Sequence, residues 1–355
     1  MKIKLSQAFD LQMGKTPARN NAAYWNGSKK WVSIADIGNS GKYIADTKEC
    51  ITDKGVRESG IKAVPKETVI MSFKLSIGKT AITAEELYTN EAIMAFIDKG
   101  IYAIDPAYFY HLCCGKNWTA GTNKAVMGLT LNKATISGIE INIPDIAEQR
   151  KIAARLDCLD TVIADRQLQL EYLDQLVKSR FIELFGDPVI NPKGFPCYTV
   201  GEVIDFQGGS QPDKKYFEYE PSPDNIRLIQ IRDYKSDKYI TYIPKTMAKR
   251  FCAADDIMIG RYGPPIFQIL KGIEGSFNVA LMKATPKMGN REFVRQFLKQ
   301  DCLLEYLEGL SKRTAGQDGI QMDKLKAYPF PYPPMELQEQ FVAFVEQTDK
   351  SKYYK

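Results

Sequence analysis

Two aspartates and a lysine fit a pattern by which nucleases hold Mg²⁺: Pro212-Asp213, then Asp233-Tyr234-Lys235 about twenty residues on. In that pattern two carboxylates bind the ion and the lysine stands beside the attacking water, which would make the chain a Mg²⁺-dependent endonuclease of the PD-(D/E)xK kind. His111, the only histidine, lies beside Cys113 and Cys114, residue types that ligate metal. A single histidine removes paired-histidine zinc motifs and most acid-base relays, so a satisfied, half-buried ring is expected instead. Gly78-Lys79-Thr80 matches the end of a phosphate loop, but Phe73 stands where that loop needs its first glycine. Asn191-Pro192-Lys193-Gly194 begins like the Asn-Pro-Pro-aromatic motif of amino-methyltransferases. Lys193-Gly194 replaces the pair that would stack on a flipped base, so the segment reads as a turn. No catalytic residue and no metal ligand is assigned.

The elements that would position these residues are duplicated, and the duplication acts as a control. Asp10-Leu11-Gln12-Met13-Gly14-Lys15-Thr16-Pro17 returns as Asp205-Phe206-Gln207-Gly208-Gly209-Ser210-Gln211-Pro212, and Val32-Ser33-Ile34-Ala35-Asp36 as Ile229-Gln230-Ile231-Arg232-Asp233. Thr68 to Ser72 matches Asp256 to Gly260, Thr89-Asn90 matches Phe277-Asn278, and Thr119-Ala120-Gly121 matches Thr314-Ala315-Gly316. Pro144, Gln149, Ile152, Leu156 and Asp160 match Pro333, Gln338, Phe341, Val345 and Asp349. Each copy reads as a mixed α/β unit followed by a helix. Asp36, the counterpart of Asp233, has no lysine two residues on, and Pro17 is followed by Ala18 where Pro212 has Asp213. An aspartate kept without its catalytic neighbours is expected to be structural. The proline-rich stretch Tyr328 to Pro334 aligns with Ile141-Asn142-Ile143-Pro144 and reads as an extended lead-in to a helix.

Between the copies, positions 152, 156, 159, 163, 166, 170, 173, 177, 180 and 184 step alternately by four and three. Eight are apolar: Ile152, Leu156, Leu159, Ile163, Leu170, Leu173, Val177 and Leu184, with Arg166 and Arg180 as exceptions. A 3.5-residue period is the seam of a coiled coil, whereas a helix on a globular core drifts toward 3.6. The helix should run from Pro144 to Gly186-Asp187-Pro188, roughly 60 Å at 1.5 Å per residue. A second helix starts in the same way and carries Phe341 and Val345 on its seam, but the sequence supplies only about half the length. Antiparallel pairing would then leave Leu170 to Leu184 open to another polypeptide. The fold class expected is α+β: two mixed globular domains in tandem, 1–143 and 189–333, separated by coiled-coil helical spacers at 144–188 and 334–355 in a pseudo-twofold arrangement.

The 355 residues carry 48 Lys+Arg against 43 Asp+Glu, and mean hydropathy is −0.30. No apolar run approaches membrane-spanning length and no secretory signal is legible, so no membrane role is expected. Seven cysteines without a C-x-x-C fit a reducing cytoplasm. Charge is unevenly placed: 1–143 holds 18 basic and 13 acidic residues and 189–333 holds 21 and 17, while 144–188 holds 6 and 9. Both heads are basic and the connector is acidic, a distribution suited to double-stranded DNA at the heads. Candidate DNA-binding residues are Lys15, Arg19, Lys30, Lys74, Lys79, Asn90, Asn123 and Lys124 in the first head. In the second they are Arg227, Arg232, Arg261, Gln268, Asn278, Arg313 and Gln317. Arginine, asparagine and glutamine read base edges, and lysine meets phosphate. A helical scaffold with no DNA role is the competing reading outside catalysis.

The whole chain resembles the specificity subunit of type I restriction-modification systems. The resemblance rests on Glu148-Gln149-Arg150-Lys151-Ile152-Ala153, on Lys178-Ser179-Arg180-Phe181-Ile182-Glu183-Leu184-Phe185-Gly186-Asp187-Pro188, on Leu337-Gln338-Glu339-Gln340-Phe341, and on the two Thr-Ala-Gly junctions. It implies two target-recognition domains that each read one half of a bipartite, asymmetric DNA site, with the helices setting the gap between the halves. It implies a non-catalytic subunit, with no cofactor of its own, that docks two modification (methyltransferase) subunits using S-adenosylmethionine for adenine methylation. Restriction subunits, ATP-dependent translocases and nucleases requiring Mg²⁺, would join them. The departure from the family pattern is the short second helix.

Overall fold

The computed structural model describes residues 1–118, 131–262, 266–311 and 320–353. They form two compact units, Met1–Asp165 and Arg166–Lys355. In the first, β1 (Lys2–Lys4), α1 (Leu5–Ala8) and β2 (Phe9–Met13) lead to β3 (Trp25–Val32), α2 (Ile34–Asn39), β4 (Tyr43–Ile44), β5 (Glu49–Ile51) and α3 (Asp53–Ser59). Then follow β6 (Val69–Ser72), β7 (Thr80–Thr83), β8 (Tyr88–Thr89), β9 (Ile93–Asp98), α4 (Pro106–Gly115), α5 (Lys133–Ser137) and β10 (Glu140–Asn142). Five strands form one sheet in the order β2-β9-β6-β7-β4, three form another as β5-β3-β8, and β1 pairs with β10.

The central strands are apolar on both faces because both faces are covered. Along β6, Val69 and Met71 join Phe9, Phe96 and Phe109 of α4 in one cluster, while Ile70 points into a second with Val32, Ile37, Ile44 and Ala95. Period-two alternation therefore fills two cores from one strand. α4 begins where the Asp105 carboxylate accepts the N–H groups of Ala107 and Tyr108, with Pro106 in the first turn where no N–H is needed.

α6 (Ile146–Phe185) starts in the first unit and continues into the second. The Asp145 carboxylate accepts the Glu148 N–H at 2.9 Å at its start. At its end Gly186 takes φ +76° and donates to Ile182 O at 2.8 Å, a left-handed cap that a side chain would strain.

The second unit holds β11 (Cys197–Thr199), α7 (Val200–Val203), β12 (Ile204–Gly208), β13 (Asn225–Ile229), β14 (Tyr242–Pro244), β15 (Phe251–Cys252), β16 (Ile257–Gly260) and β17 (Gln268–Lys271). These are followed by β18 (Gly275–Phe277), β19 (Leu281–Pro286), α8 (Arg291–Leu298), α9 (Asp301–Ser311), α10 (Met322–Ala327), β20 (Pro329–Pro331) and α11 (Met335–Tyr353). The order β12-β19-β16-β17 repeats β2-β9-β6-β7, the parallel pair β13 and β18 repeats β3 and β8, and β11-β20 repeats β1-β10. The first unit adds strand β4 and helices α2 and α3, and the second adds strand β15 and helix α9. One topology is thus written twice.

Within the second unit α11 lies antiparallel to the later part of α6. Phe341 sits 5.5 Å from Phe181 and 5.4 Å from Phe185 by ring centroids, whereas Lys352, eleven residues on, bonds Asp174 at 2.6 Å. The stretch expected to lie open, Leu170 to Leu184, is therefore the stretch that α11 covers. The reason is directional: an antiparallel helix puts its first turns against the last turns of its partner.

Candidate nucleic-acid interface

One end of each main sheet gathers the loops that carry most of the candidate side chains. In the first unit Gly14 N–H donates to Ile93 O at 3.1 Å, Lys15 N–H to Thr89 O at 2.8 Å, and Ser72 N–H to Lys79 O at 2.8 Å. These bonds bring Lys15, Lys74, Lys79 and Asn90 to the same sheet end. In the second unit Gly209 N–H donates to Leu281 O at 3.1 Å, Ser210 N–H to Phe277 O at 3.0 Å and Arg261 N–H to Ala280 O at 2.9 Å, with Gln268 opposite Gly260 in register. Arg261, Gln268 and Asn278 therefore stand at the corresponding end, and Arg232 lies three residues past Ile229, whose carbonyl accepts the Asn278 N–H.

Both ends are built on the same turn. Asn90 Oδ1 accepts the Ala92 N–H at 3.0 Å, and Asn278 Oδ1 accepts the Ala280 N–H at 3.1 Å. Their own N–H groups donate to Val32 O and Ile229 O, each at 3.0 Å. A Cβ on Gly14 would fall 2.2 Å from Asn90 O, and one on Gly209 only 1.9 Å from Asn278 O. Glycine recurs at these two positions because the backbone of one loop touches the carbonyl of the other. The side-chain oxygen of each asparagine is thus committed to the fold.

Most other candidates of the first head are also engaged. Arg19 stacks its guanidinium 4.0 Å from the Trp25 ring and 4.8 Å from Trp31 and grips Glu49 with both terminal nitrogens. Lys15 donates to Ser59 O, Lys30 pairs with Glu85 and more distantly with Asp46, Lys74 lies beside the Phe73 ring, and Lys79 is exposed. In the second head Arg227 bonds Asp237 at 3.0 Å and faces Asp233, Arg232 donates to Thr241 Oγ1 at 3.0 Å, and Arg261 lies over Tyr262. Asn123, Lys124, Arg313 and Gln317, with both Thr-Ala-Gly junctions, lie outside the described residues. The aromatic partners Trp25, Trp31 and Tyr239 were not among the sequence candidates, because an aromatic in a strand carries no mark of whether it stacks on a cation or fills a core.

Along the helices, Val177, Phe341 and Val345 are buried, Ile152, Leu156, Leu170, Leu173 and Leu184 are half-buried, and Leu159 and Ile163 are each 56% exposed. At both ends α6 also buries positions beside the heptad seam: Gln149 and Ala153, then Phe181 and Phe185. There it rests on a globular core, whose packing follows the 3.6-residue period. Phe181 and Phe185 meet Phe293 and Phe341 in one aromatic cluster. Arg166, an apparent break in the seam, donates to the carbonyls of Ser351 at 3.2 Å and Lys352 at 2.8 Å at the end of α11. A guanidinium there satisfies helix-end acceptors and complements the helix dipole.

The aspartates of the nuclease pattern have structural work. Asp233 is buried and accepts the Gln230 N–H at 3.1 Å, just as Asp36 accepts the Ser33 N–H at 2.7 Å in the first copy. Burial raises the Asp233 carboxyl above its ordinary value despite the nearby arginines. Asp213 accepts the Lys215 N–H in a separate turn. His111 is satisfied: Nε2 lies 2.7 Å from Asp157 Oδ1, and Lys42 Nζ bonds both Asp157 oxygens at 2.6 and 2.7 Å. Asp160 completes the one His-and-carboxylate cluster found among the described residues. Lys42 already supplies the positive charge that a bound cation would bring. Cys113 faces the apolar core, where burial pushes its thiol well up.

Two units of one strand order, each presenting basic and amide side chains at the same sheet end, make a duplicated α+β fold. The chain belongs to the type I restriction modification DNA specificity domain family, whose model matches residues 1–172 and 192–353. It is 26% identical over 273 residues to the type I restriction enzyme MjaIX specificity subunit of Methanocaldococcus jannaschii, covering 66% of this chain and 63% of that one. The chain thus spans just under two thirds of that relative. A solved structure from work on complex assembly and conformational transition of the type I R-M system matches with TM-score 0.55 at 19% identity, over 99% of this chain and 90% of that one. The type I restriction-modification S subunit from M. genitalium matches with TM-score 0.51 at 14% identity and the same coverage. These likenesses establish the fold. Among the described residues no helix is long and apolar enough to cross a membrane.

Proposed function

We propose that the chain is the specificity subunit of a type I restriction-modification complex and reads a bipartite, asymmetric sequence in double-stranded DNA. The observation that carries this reading is the repeated sheet end: Lys15, Lys74, Lys79 and Asn90 in one copy, Arg232, Arg261, Gln268 and Asn278 in the other. The scaffold is the same and the side chains differ, which suits two different half-sites rather than a palindrome. The excess of basic over acidic residues in 1–143 and 189–333 supports the same reading. The chain recognises and does not catalyse. Modification subunits, with S-adenosylmethionine, and restriction subunits, with ATP and Mg²⁺, carry the chemistry.

Methylation-sensitive sequencing of DNA exposed to the chain with its modification subunits tests this directly. The expected result is one motif made of two unrelated half-sites with a fixed gap. Mg²⁺-dependent cleavage by the chain alone, lost on Asp233→Ala, would instead favour a nuclease. An absence of salt-sensitive DNA binding with partners present would leave only a scaffold.

A further inference from the structure

Beside the sheet end of the second unit lies a cleft of about 440 Å³ lined by Tyr219, Pro221, Arg232, Asp237, Lys238, Tyr239, Ile240 and Tyr242. Two of its tyrosines are strongly exposed, Tyr219 at 69% and Tyr239 at 57%. Neither stacks on another ring among the described residues. Two cations flank Tyr239, with Arg232 Cζ 5.8 Å and Lys238 Nζ 5.3 Å from the ring centroid. The one carboxylate in the lining, Asp237, is bound to Arg227 at 3.0 Å, so its charge is met from within the fold. Arg232 uses Nη2 on Thr241 and its Nε lies 4.0 Å from the buried Asp233 carboxylate, while its Nη1 has no hydrogen-bond partner among the described residues.

Exposed aromatic faces interleaved with cations at one concave spot are the chemistry of nucleotide contact: the ring stacks on or shields a base, arginine reads an edge, lysine meets phosphate. We infer that this cleft is where the second unit holds one nucleotide of its half-site. Tyr219 and Tyr239 supply the base-facing surfaces, Arg232 the edge contact that discriminates, and Lys238 the phosphate contact. The inference rests on the DNA-reading function proposed above and assigns it to particular groups. At Arg19 in the first unit the guanidinium is instead held between Trp25, Trp31 and Glu49.

The test is selection from a randomised duplex library by the full chain assembled with its modification subunits, for wild type, Arg232→Gln, Tyr239→Ala, Tyr219→Ala and Lys238→Ala. Arg232→Gln and Tyr239→Ala should lower the preference at one position of one half-site by about 10-fold and leave the other half-site intact. Lys238→Ala should weaken all sequences alike and reduce the salt slope by about one. Tyr219→Ala, at the more exposed of these two tyrosines, should weaken binding with no change in melting temperature, which separates contact from folding. A wild type that selects two half-sites, with variants that select the same two at the same strength, overturns the cleft and leaves the DNA-reading function standing. A wild type that selects no sequence overturns both.

Discussion

Gln338 Oε1 accepts the backbone N–H of Asn290 at 2.9 Å, and Gln149 Oε1 accepts that of Asp105 at the same distance. Asn290 and Asp105 are the residues that cap α8 and α4. The other end of each amide donates to backbone carbonyls, Pro333 O from Gln338, and Ala103 O and Pro144 O from Gln149. In both copies one fully buried glutamine therefore ties the start of a head helix to the start of the helix that follows the head. The residue recurs because no apolar side chain could satisfy the groups it meets.

Gln338→Ala strands the Asn290 N–H and the Pro333 carbonyl in the interior. Each unmet buried group costs about 1–3 kcal/mol, so the second unit should lose about 2–6 kcal/mol, measured by urea denaturation. Gln338→Leu should be no better, since volume is restored and hydrogen bonding is not. A loss below about 0.5 kcal/mol would mean that the clamp is unimportant.

Gly209→Ala should destabilise by about 1–3 kcal/mol or more, because its Cβ would meet Asn278 O at 1.9 Å. Gly208→Ala, with only Arg261 Nη1 within 4 Å at 3.9 Å, serves as the matched control and should change little. Equal melting temperatures for the two variants would count against the close approach.

Asp157 gives a pH signature. Its burial raises the carboxyl, but hydrogen bonds from Lys42 and His111 outweigh that and hold it below the ordinary carboxylate value. A depressed carboxylate contributes stability above its unfolded pKa, and that contribution fades as pH falls through the folded value. The stability gap between wild type and Asp157→Asn should be level above about pH 5 and close below about pH 4. For a side chain this exposed it should be no more than about 1 kcal/mol. A gap that instead widens in acid would reverse the assignment.

Leu159 and Ile163 are exposed in the first unit, so changing both to lysine should shift stability by no more than about 0.5 kcal/mol. If partner subunits dock on this helix, assembly with them should fail, which analytical ultracentrifugation would show. Val177→Glu differs, since it buries an unpaired charge beside Phe181 and Phe341 and should unfold the second unit outright. Intact assembly by the Leu159 and Ile163 variant would remove this face as a docking site.

The sequence was enough to reveal the duplication, because collinear matches such as Gly14 with Gly209 and Gln149 with Gln338 survive wherever a backbone approach or a buried bond admits one residue type. It also located the long helix, whose apolar spacing is a local property. It could not say which turns of that helix α11 would cover, since a seam looks the same whichever direction its partner runs. Nor could it separate Arg19, held between two tryptophans and Glu49, from Arg232, with part of its guanidinium unspent. Identical side chains acquire different roles only when distant strands bring partners to them. The Asp233 pattern looked catalytic as a string and became a local backbone acceptor once the packing around it buried its carboxylate.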